Sequence, residues 1–133
     1  MTRRALLGAA AALTALTLVL AGGPPRAQAG GPAYERLKGR WVRLDGGYVI
    51  EIRSVDNRGV VDAAYFNPQP INVGRAQATR DGSALRLVVE LRAPNYPGST
   101  YTLSYDPTVD QLRGVYFQAV AQQRFDVIFV RRK

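Results

Sequence analysis

Residues 84–92 read Ala-Leu-Arg-Leu-Val-Val-Glu-Leu-Arg, and apolar and polar side chains alternate along nearly the whole stretch. An extended strand points successive side chains to opposite faces, so this alternation predicts a β-strand with one buried face. The buried face would carry Leu85, Leu87, Val89 and Leu91. The opposite face would carry Arg86, Val88, Glu90 and Arg92.

The same period-2 pattern recurs on both sides of this stretch, and no segment keeps a helical period for long. Turn signals rich in Gly, Pro and Asp separate the alternating segments. The pattern predicts eight strands, at Arg40–Asp45, Tyr48–Val55, Val60–Asn67, Val73–Thr79, Ala84–Arg92, Thr100–Tyr105, Gln111–Ala119 and Arg124–Arg131. Pro68-Gln69-Pro70 predicts an extended link, and Tyr34–Lys38 predicts one helical turn.

Eight antiparallel strands with short connections form an up-and-down meander. An open sheet of this length would expose two edges and its apolar face, whereas closing the sheet removes both problems. We therefore expect an all-β, eight-stranded antiparallel meander closed into a barrel, with the Trp41 strand beside the Phe129 strand. Whether its interior is filled or holds a cavity stays open at this point.

The first 29 residues predict a cleaved signal peptide. Arg3 and Arg4 precede an apolar core at Ala5–Leu20, and Ala27-Gln28-Ala29 supplies the small residues that signal peptidase requires. The arginine pair leaves a Sec and a twin-arginine route open. This division gives a signal peptide at 1–29, a lead-in at 30–39 and a barrel domain at 40–133, in a protein that is periplasmic or secreted. The apolar core is shorter than the roughly 20 residues that span a bilayer, and no second apolar run predicts a transmembrane segment in the mature chain.

The net charge of the mature chain and its distribution limit the kinds of partner that the protein can bind. Of 18 basic residues, Arg3, Arg4 and Arg26 leave with the signal peptide, so 15 basic residues face 10 acidic ones and the net charge is +5. The basic residues stand singly along the strands instead of forming the patch that nucleic-acid binding requires. We therefore predict no nucleic-acid partner.

Histidine and cysteine are both absent from the sequence. Their absence excludes Ser-His-Asp and Cys-His nucleophiles, imidazole and thiolate metal sites, and disulfides. Paired carboxylates are the one catalytic option considered, with Asp106 and Asp110 or Asp56 and Asp62 close across a turn. Asp at hairpin ends is ordinary turn chemistry, and the alternating acidic loop that calcium prefers is missing. The prediction is a protein that is not an enzyme and that has no metal and no cofactor.

Gly39-Arg40-Trp41 is similar to the G-x-W that starts the first strand of lipocalins and related calycins. The resemblance implies that Trp41 plugs the closed end of a barrel and that a basic residue after the last strand, Arg131 or Arg132, packs over it. The chain departs from lipocalins in its shorter length and lack of a C-terminal helix. The segments NYPGSTYTLSYDP and LRGVYFQA are also similar to parts of uncharacterised exported bacterial proteins, a resemblance that implies no function.

Most of the seven tyrosines fall on predicted strands, and an amide shares the face of two of them. A barrel mouth lined with phenols and amides suits a small apolar or aromatic ligand. The predicted ligand-binding residues are Tyr65, Asn67, Tyr101, Tyr105, Tyr116 and Gln118. The alternative is that these tyrosines cap the core with their hydroxyls in water.

A second hypothesis is a protein–protein module, an inhibitor or an envelope-associated factor, with a filled barrel core. Alternation places Val115, Phe117, Ile128 and Val130 on the outer face, where an apolar patch often serves association. A covering N-terminal segment around Tyr34 and Leu37 is the alternative for this face. The Pro-containing loops at Tyr96-Pro97 and Phe66-Asn67-Pro68 would offer a further binding rim.

Overall fold

The computed structural model describes residues 31–94 and 98–133. The predicted signal peptide and the predicted turn at Tyr96-Pro97 lie outside these residues. The elements are α1 (Pro32–Glu35), β1 (Gly39–Arg43), β2 (Val49–Val55), β3 (Val61–Asn67), β4 (Gln69–Ile71), β5 (Val73–Asp81), β6 (Ala84–Leu91), β7 (Ser99–Asp106), β8 (Gln111–Gln118) and β9 (Gln123–Arg131).

The strands form one antiparallel sheet in the order β4-β3-β2-β1-β9-β8-β7-β6-β5. The predicted all-β meander is therefore confirmed. The first and last strands pair as expected, with Trp41 opposite Arg131 and Arg43 opposite Phe129. The two ends of the sheet are consequently β4 and β5.

The structure adds a ninth strand to the eight predicted. β4 occupies most of the predicted Pro68-Gln69-Pro70 link and pairs with β3, placing Pro70 opposite Phe66 and Gln69 opposite Asn67. A proline lacks a backbone N–H and is tolerated in a sheet where that donor is not needed, as on an edge strand. β4 is such an edge, and its three residues are too few to produce an alternation.

The sheet nearly closes into a barrel where the turn before β3 reaches β5. Val60 forms an isolated bridge with Gln77, and the Ala78 N–H donates to the Gly59 carbonyl at 2.7 Å. Gly59 has a φ of 81°, and a Cβ at this position would lie 2.1 Å from the Ala78 carbonyl oxygen. Glycine is therefore required here by both backbone conformation and space.

The inward faces of the strands supply the core. On β6 every second residue from Leu85 to Leu91 is buried, whereas Arg86 is exposed, as the alternation predicted. Burying a large apolar side chain contributes about 1.5–3 kcal/mol. Side chains less than 2% exposed include Leu37, Trp41, Ile50, Leu87, Val89, Leu91, Tyr101, Leu103, Leu112 and Phe129.

One end of the barrel is sealed by Trp41 and the N-terminal lead-in. The Trp41 Nε1–H donates to the Leu37 carbonyl at 2.9 Å, and Leu37 is itself fully buried. The Arg131 guanidinium lies over the indole, 4.2 Å from the ring centroid, and makes two bonds of 2.8 and 3.0 Å to the Asp110 carboxylate. Arg131 also donates to the carbonyls of Arg36 and Lys38. The arginine thus ties the lead-in to the last strand.

Candidate functional site

A pocket of about 260 Å³ lies at the opposite end of the barrel, where the β1–β2 turn and the β8–β9 hairpin meet. Four of the six predicted ligand-binding residues line it. They are Tyr65 and Asn67 on β3 and Tyr116 and Gln118 on β8, joined by Arg43, Tyr48 and Phe125. In each predicted pair the two residues are two positions apart on one strand, so both side chains point to the inner face.

Tyr101 lies beneath this pocket instead of lining it. The residue is fully buried, and its hydroxyl contacts the Tyr65 hydroxyl at 2.7 Å and accepts a bond from Arg43 Nη1 at 3.0 Å. Its ring stacks on Tyr116 with centroids 4.5 Å apart and meets Phe129 edge-on at 5.3 Å. Tyr101 therefore supports the pocket from below by fixing the positions of Tyr65, Tyr116 and Arg43.

Tyr105 lies at the sealed end of the barrel, away from the pocket. Its ring meets Trp41 edge-on at 6.1 Å, and its hydroxyl donates to Asp110 at 2.9 Å. Burial raises the pKa of Tyr105, and the adjacent carboxylate raises it further. Tyr105 belongs to the seal that also contains Arg131.

Arg43 is one of three pocket residues, with Tyr48 and Phe125, that the sequence pattern did not predict as ligand-binding. The residue is 9% exposed and packs its guanidinium against Tyr48, 4.3 Å from the ring centroid, with Tyr116 at 5.5 Å. Its Nε and Nη2 donate to the two oxygens of Asp45, the latter bond measuring 2.9 Å. Arg43 follows Trp41 by two residues, so strand alternation already placed it on the inner face.

The charges of the pocket follow from these contacts. Burial lowers the pKa of Arg43, but hydrogen bonds with Asp45 and Tyr101 outweigh it, so the pKa lies above its usual value and the guanidinium stays charged. The hydrogen bond from Arg43 lowers the pKa of Asp45. Burial raises the pKa of Tyr65 and of Tyr101, so both phenols stay neutral. The pocket therefore combines aromatic walls, neutral hydroxyls and one ion pair.

The first carboxylate pair considered for catalysis, Asp56 and Asp62, has structural partners. Asp56 accepts the backbone N–H groups of Arg58 and Val60, both at 2.9 Å, and thereby closes its own turn. Asp62 pairs with Arg53 at 3.2 Å on the outer face. These contacts fit the turn chemistry expected of Asp at hairpin ends.

The second carboxylate pair, Asp106 and Asp110, is likewise engaged. Asp106 accepts the backbone N–H and the hydroxyl of Thr108, which lowers the pKa of Asp106. Asp110 is held by Arg131, whose hydrogen bond lowers the pKa of Asp110. Within residues 31–94 and 98–133 no group of three or more potential ligand side chains is placed to hold a metal ion.

The predicted interaction surface faces outward, and polar and charged side chains on the β8–β9 ladder interrupt it. Its four residues are half-buried, and the register places a polar or charged residue directly opposite each on the β8–β9 ladder. The lead-in does not cover these residues, because Leu37 is buried beside Trp41 at the sealed end. The facing pairs are Val115 with Asp126, Phe117 with Arg124, Ile128 with Arg113 and Val130 with Gln111.

No protein-family model matches the chain, and neither a curated protein nor a solved structure matches it. Among the described residues, no helix has the length and apolar character needed to cross a membrane. The described residues form a nearly closed antiparallel barrel that is sealed at one end by Trp41 and carries an aromatic pocket at the other.

Proposed function

We propose that this chain is an exported, periplasmic or secreted binding protein without catalytic activity, which takes a small apolar or aromatic ligand at the tyrosine-lined mouth of a lipocalin-like barrel. The observation that carries the proposal is the pocket in which Tyr48, Tyr65, Tyr116 and Phe125 supply aromatic surface and Asn67 and Gln118 supply amides. Aromatic walls with a few converging polar groups are typical of small-molecule sites.

The size of the pocket limits the ligand. Drug-sized ligands occupy pockets of about 300–1,000 Å³, so a volume of about 260 Å³ suits a compound of one or two rings. The core below the pocket is filled, since Tyr101, Phe129 and Leu103 are 1% exposed or less. The ligand would therefore sit at the mouth and not within the barrel.

The packing of the walls favours a preformed site. Tyr48 and Tyr65 are stacked with their ring planes 5° apart, and Tyr65 is fixed through its hydroxyl to Tyr101. A wall that is already ordered loses little conformational entropy when a ligand binds. The protein–protein alternative has weaker support, because charged residues interrupt its outer apolar face.

A binding measurement with one matched pair of variants tests the proposal. Phe125 and Val120 are both exposed apolar residues near the β8–β9 hairpin, but Phe125 lines the pocket and Val120 does not. We expect methyl 2-naphthoate to bind in isothermal titration calorimetry, and Phe125→Ser to weaken binding about tenfold through the loss of one aromatic contact. Val120→Ser should leave affinity unchanged. The proposal fails if neither the ester nor its parent acid, 2-naphthoate, binds, or if both variants weaken binding equally.

A further inference from the structure

The two partners of the ion pair in the pocket, Arg43 and Asp45, differ in burial. The Arg43 side chain is 10% exposed, whereas the Asp45 side chain is 55% exposed. Asp45 belongs to the β1–β2 turn, next to Gly46 and Gly47 and after Leu44, which is 62% exposed. The cation is therefore part of the barrel interior, and its counter-ion comes from a turn at the surface.

Arg43 has supports that do not depend on Asp45. Its Nη1 donates to the buried Tyr101 hydroxyl, and its guanidinium lies against the rings of Tyr48 and Tyr116. Cation–π contacts of this kind hold a guanidinium in place while leaving its N–H edges available. Removing the Asp45 carboxylate would consequently leave the guanidinium in the pocket but without an anion.

The guanidinium also keeps hydrogen-bonding capacity toward a ligand. Arginine has five N–H donors, and three of them serve Asp45 and Tyr101 among the residues described. A planar carboxylate is the natural partner of the arginine fork. A cationic ligand would meet a charged arginine, and the Tyr48 and Tyr116 faces that could attract it already contact that arginine.

We propose that the ligand is a small aromatic carboxylate, and that Asp45 occupies Arg43 in the free protein until the ligand carboxylate displaces it. This inference rests on the proposed ligand-binding function and adds the chemical class of the ligand to it. The aromatic body would lie among Tyr65, Tyr116 and Phe125, and its carboxylate would replace that of Asp45 on the guanidinium. The exchange is partly compensated, because the ligand carboxylate takes over the two bonds of Asp45 and the exposed Asp45 side chain regains hydration.

The test compares 2-naphthoate with its neutral methyl ester on three proteins: the wild type, Asp45→Asn and Asp62→Asn. Asp62 is an exposed carboxylate paired with Arg53 on the outer face, so its neutralisation changes the net charge equally without touching the pocket. We expect Asp45→Asn to bind 2-naphthoate about tenfold more tightly than the wild type, since the internal competitor is weakened. The ester should bind the wild type and Asp45→Asn alike, and Asp62→Asn should bind both compounds as the wild type does.

Each outcome decides between defined alternatives. Equal binding of acid and ester by all three proteins would overturn the carboxylate inference and leave the proposed binding function standing. A gain in acid affinity that is equal in Asp45→Asn and Asp62→Asn would also overturn it, because the effect would then come from net charge. Failure of both compounds to bind any of the proteins would refute the proposed function as well. Asp45 lies on an exposed turn, so its substitution should leave folding intact, which thermal unfolding would verify.

Discussion

Replacing Gly59 by alanine should open the seam of the barrel. Gly59 joins the Asp56–Val60 turn to β5 through the bond from the Ala78 N–H, and its φ of 81° lies in the left-handed region. A Cβ would come within 2.1 Å of the Ala78 carbonyl oxygen, so the two strands must separate. Gly82, in the β5–β6 hairpin, is the matched control because its φ is also positive, at 61°, but a Cβ there meets nothing within 4 Å.

Both substitutions force an alanine into the left-handed conformation, but only Gly59→Ala also creates an overlap with the backbone of β5. A left-handed conformation costs an L-residue about 1–2 kcal/mol, partly offset by the lower entropy of the unfolded alanine chain, which leaves about 1 kcal/mol for Gly82→Ala. Gly59→Ala adds the overlap with backbone, about 1–3 kcal/mol. It also loses the closing hydrogen bond, about 1 kcal/mol. The expected loss for Gly59→Ala is therefore about 3–5 kcal/mol, a large part of a typical domain stability of about 5–15 kcal/mol.

Thermal unfolding followed by circular dichroism measures this difference. About 1 kcal/mol shifts the Tm of a small domain by about 4–8 °C, so Gly82→Ala should show a shift of that size and Gly59→Ala a shift about three to five times as large. Equal shifts for the two variants would refute the reasoning, because the positive φ would then account for the whole effect and the close approach to β5 would contribute nothing.

Two further predictions concern the two ends of the barrel. Arg131→Lys should lower the free energy of unfolding by about 1 kcal/mol, because lysine keeps the charge but cannot make the two parallel hydrogen bonds to the Asp110 carboxylate. Unfolding followed by Trp41 fluorescence should show this loss. Arg132→Lys is the control and should leave the free energy of unfolding unchanged. Burial raises the pKa of Tyr65 and of Tyr101 above the usual value of about 10. Above this pH the folded protein retains protons that the unfolded chain releases, so the free energy of unfolding should fall as the pH rises above about 10. Tyr65→Phe should reduce that fall in urea titrations between pH about 9 and about 11, and an unchanged fall would contradict the assigned burial.

The alternation pattern was sufficient to predict the sheet and four of the residues that line the candidate pocket. Alternation identified the inward faces of Tyr65 and Asn67 and of Tyr116 and Gln118, and each pair lies near the same end of the barrel. A strand pattern indicates a face but not a height. Tyr101 and Tyr105 share a face, yet four residues separate them by about 13 Å along the strand, so they lie at different levels.

The remaining features depend on pairing in three dimensions. Arg43 was overlooked because arginine is almost never buried without a partner, and its partners Tyr101 and Asp45 are identified by cross-strand packing and turn geometry. The sequence predicts a link at β4 because Pro68 precedes the strand and Pro70 lies within it, and closely spaced prolines are typical of a loop. The interruption of the outer apolar face follows from the β8–β9 register, which the sequence of either strand alone does not specify.

The junction of β1 with β9 has a consequence for the order of assembly. Arg131 donates to the Lys38 carbonyl, 93 residues earlier in the chain, and the strand beside β1, β9, is the last strand of the barrel to be synthesised. Contacts between such distant segments form slowly, because the chain loses the entropy of closing a long loop before these contacts can stabilise the fold. A nascent chain must therefore hold Trp41 uncovered until β9 has been synthesised, and the sealed end is the last part of the barrel able to mature.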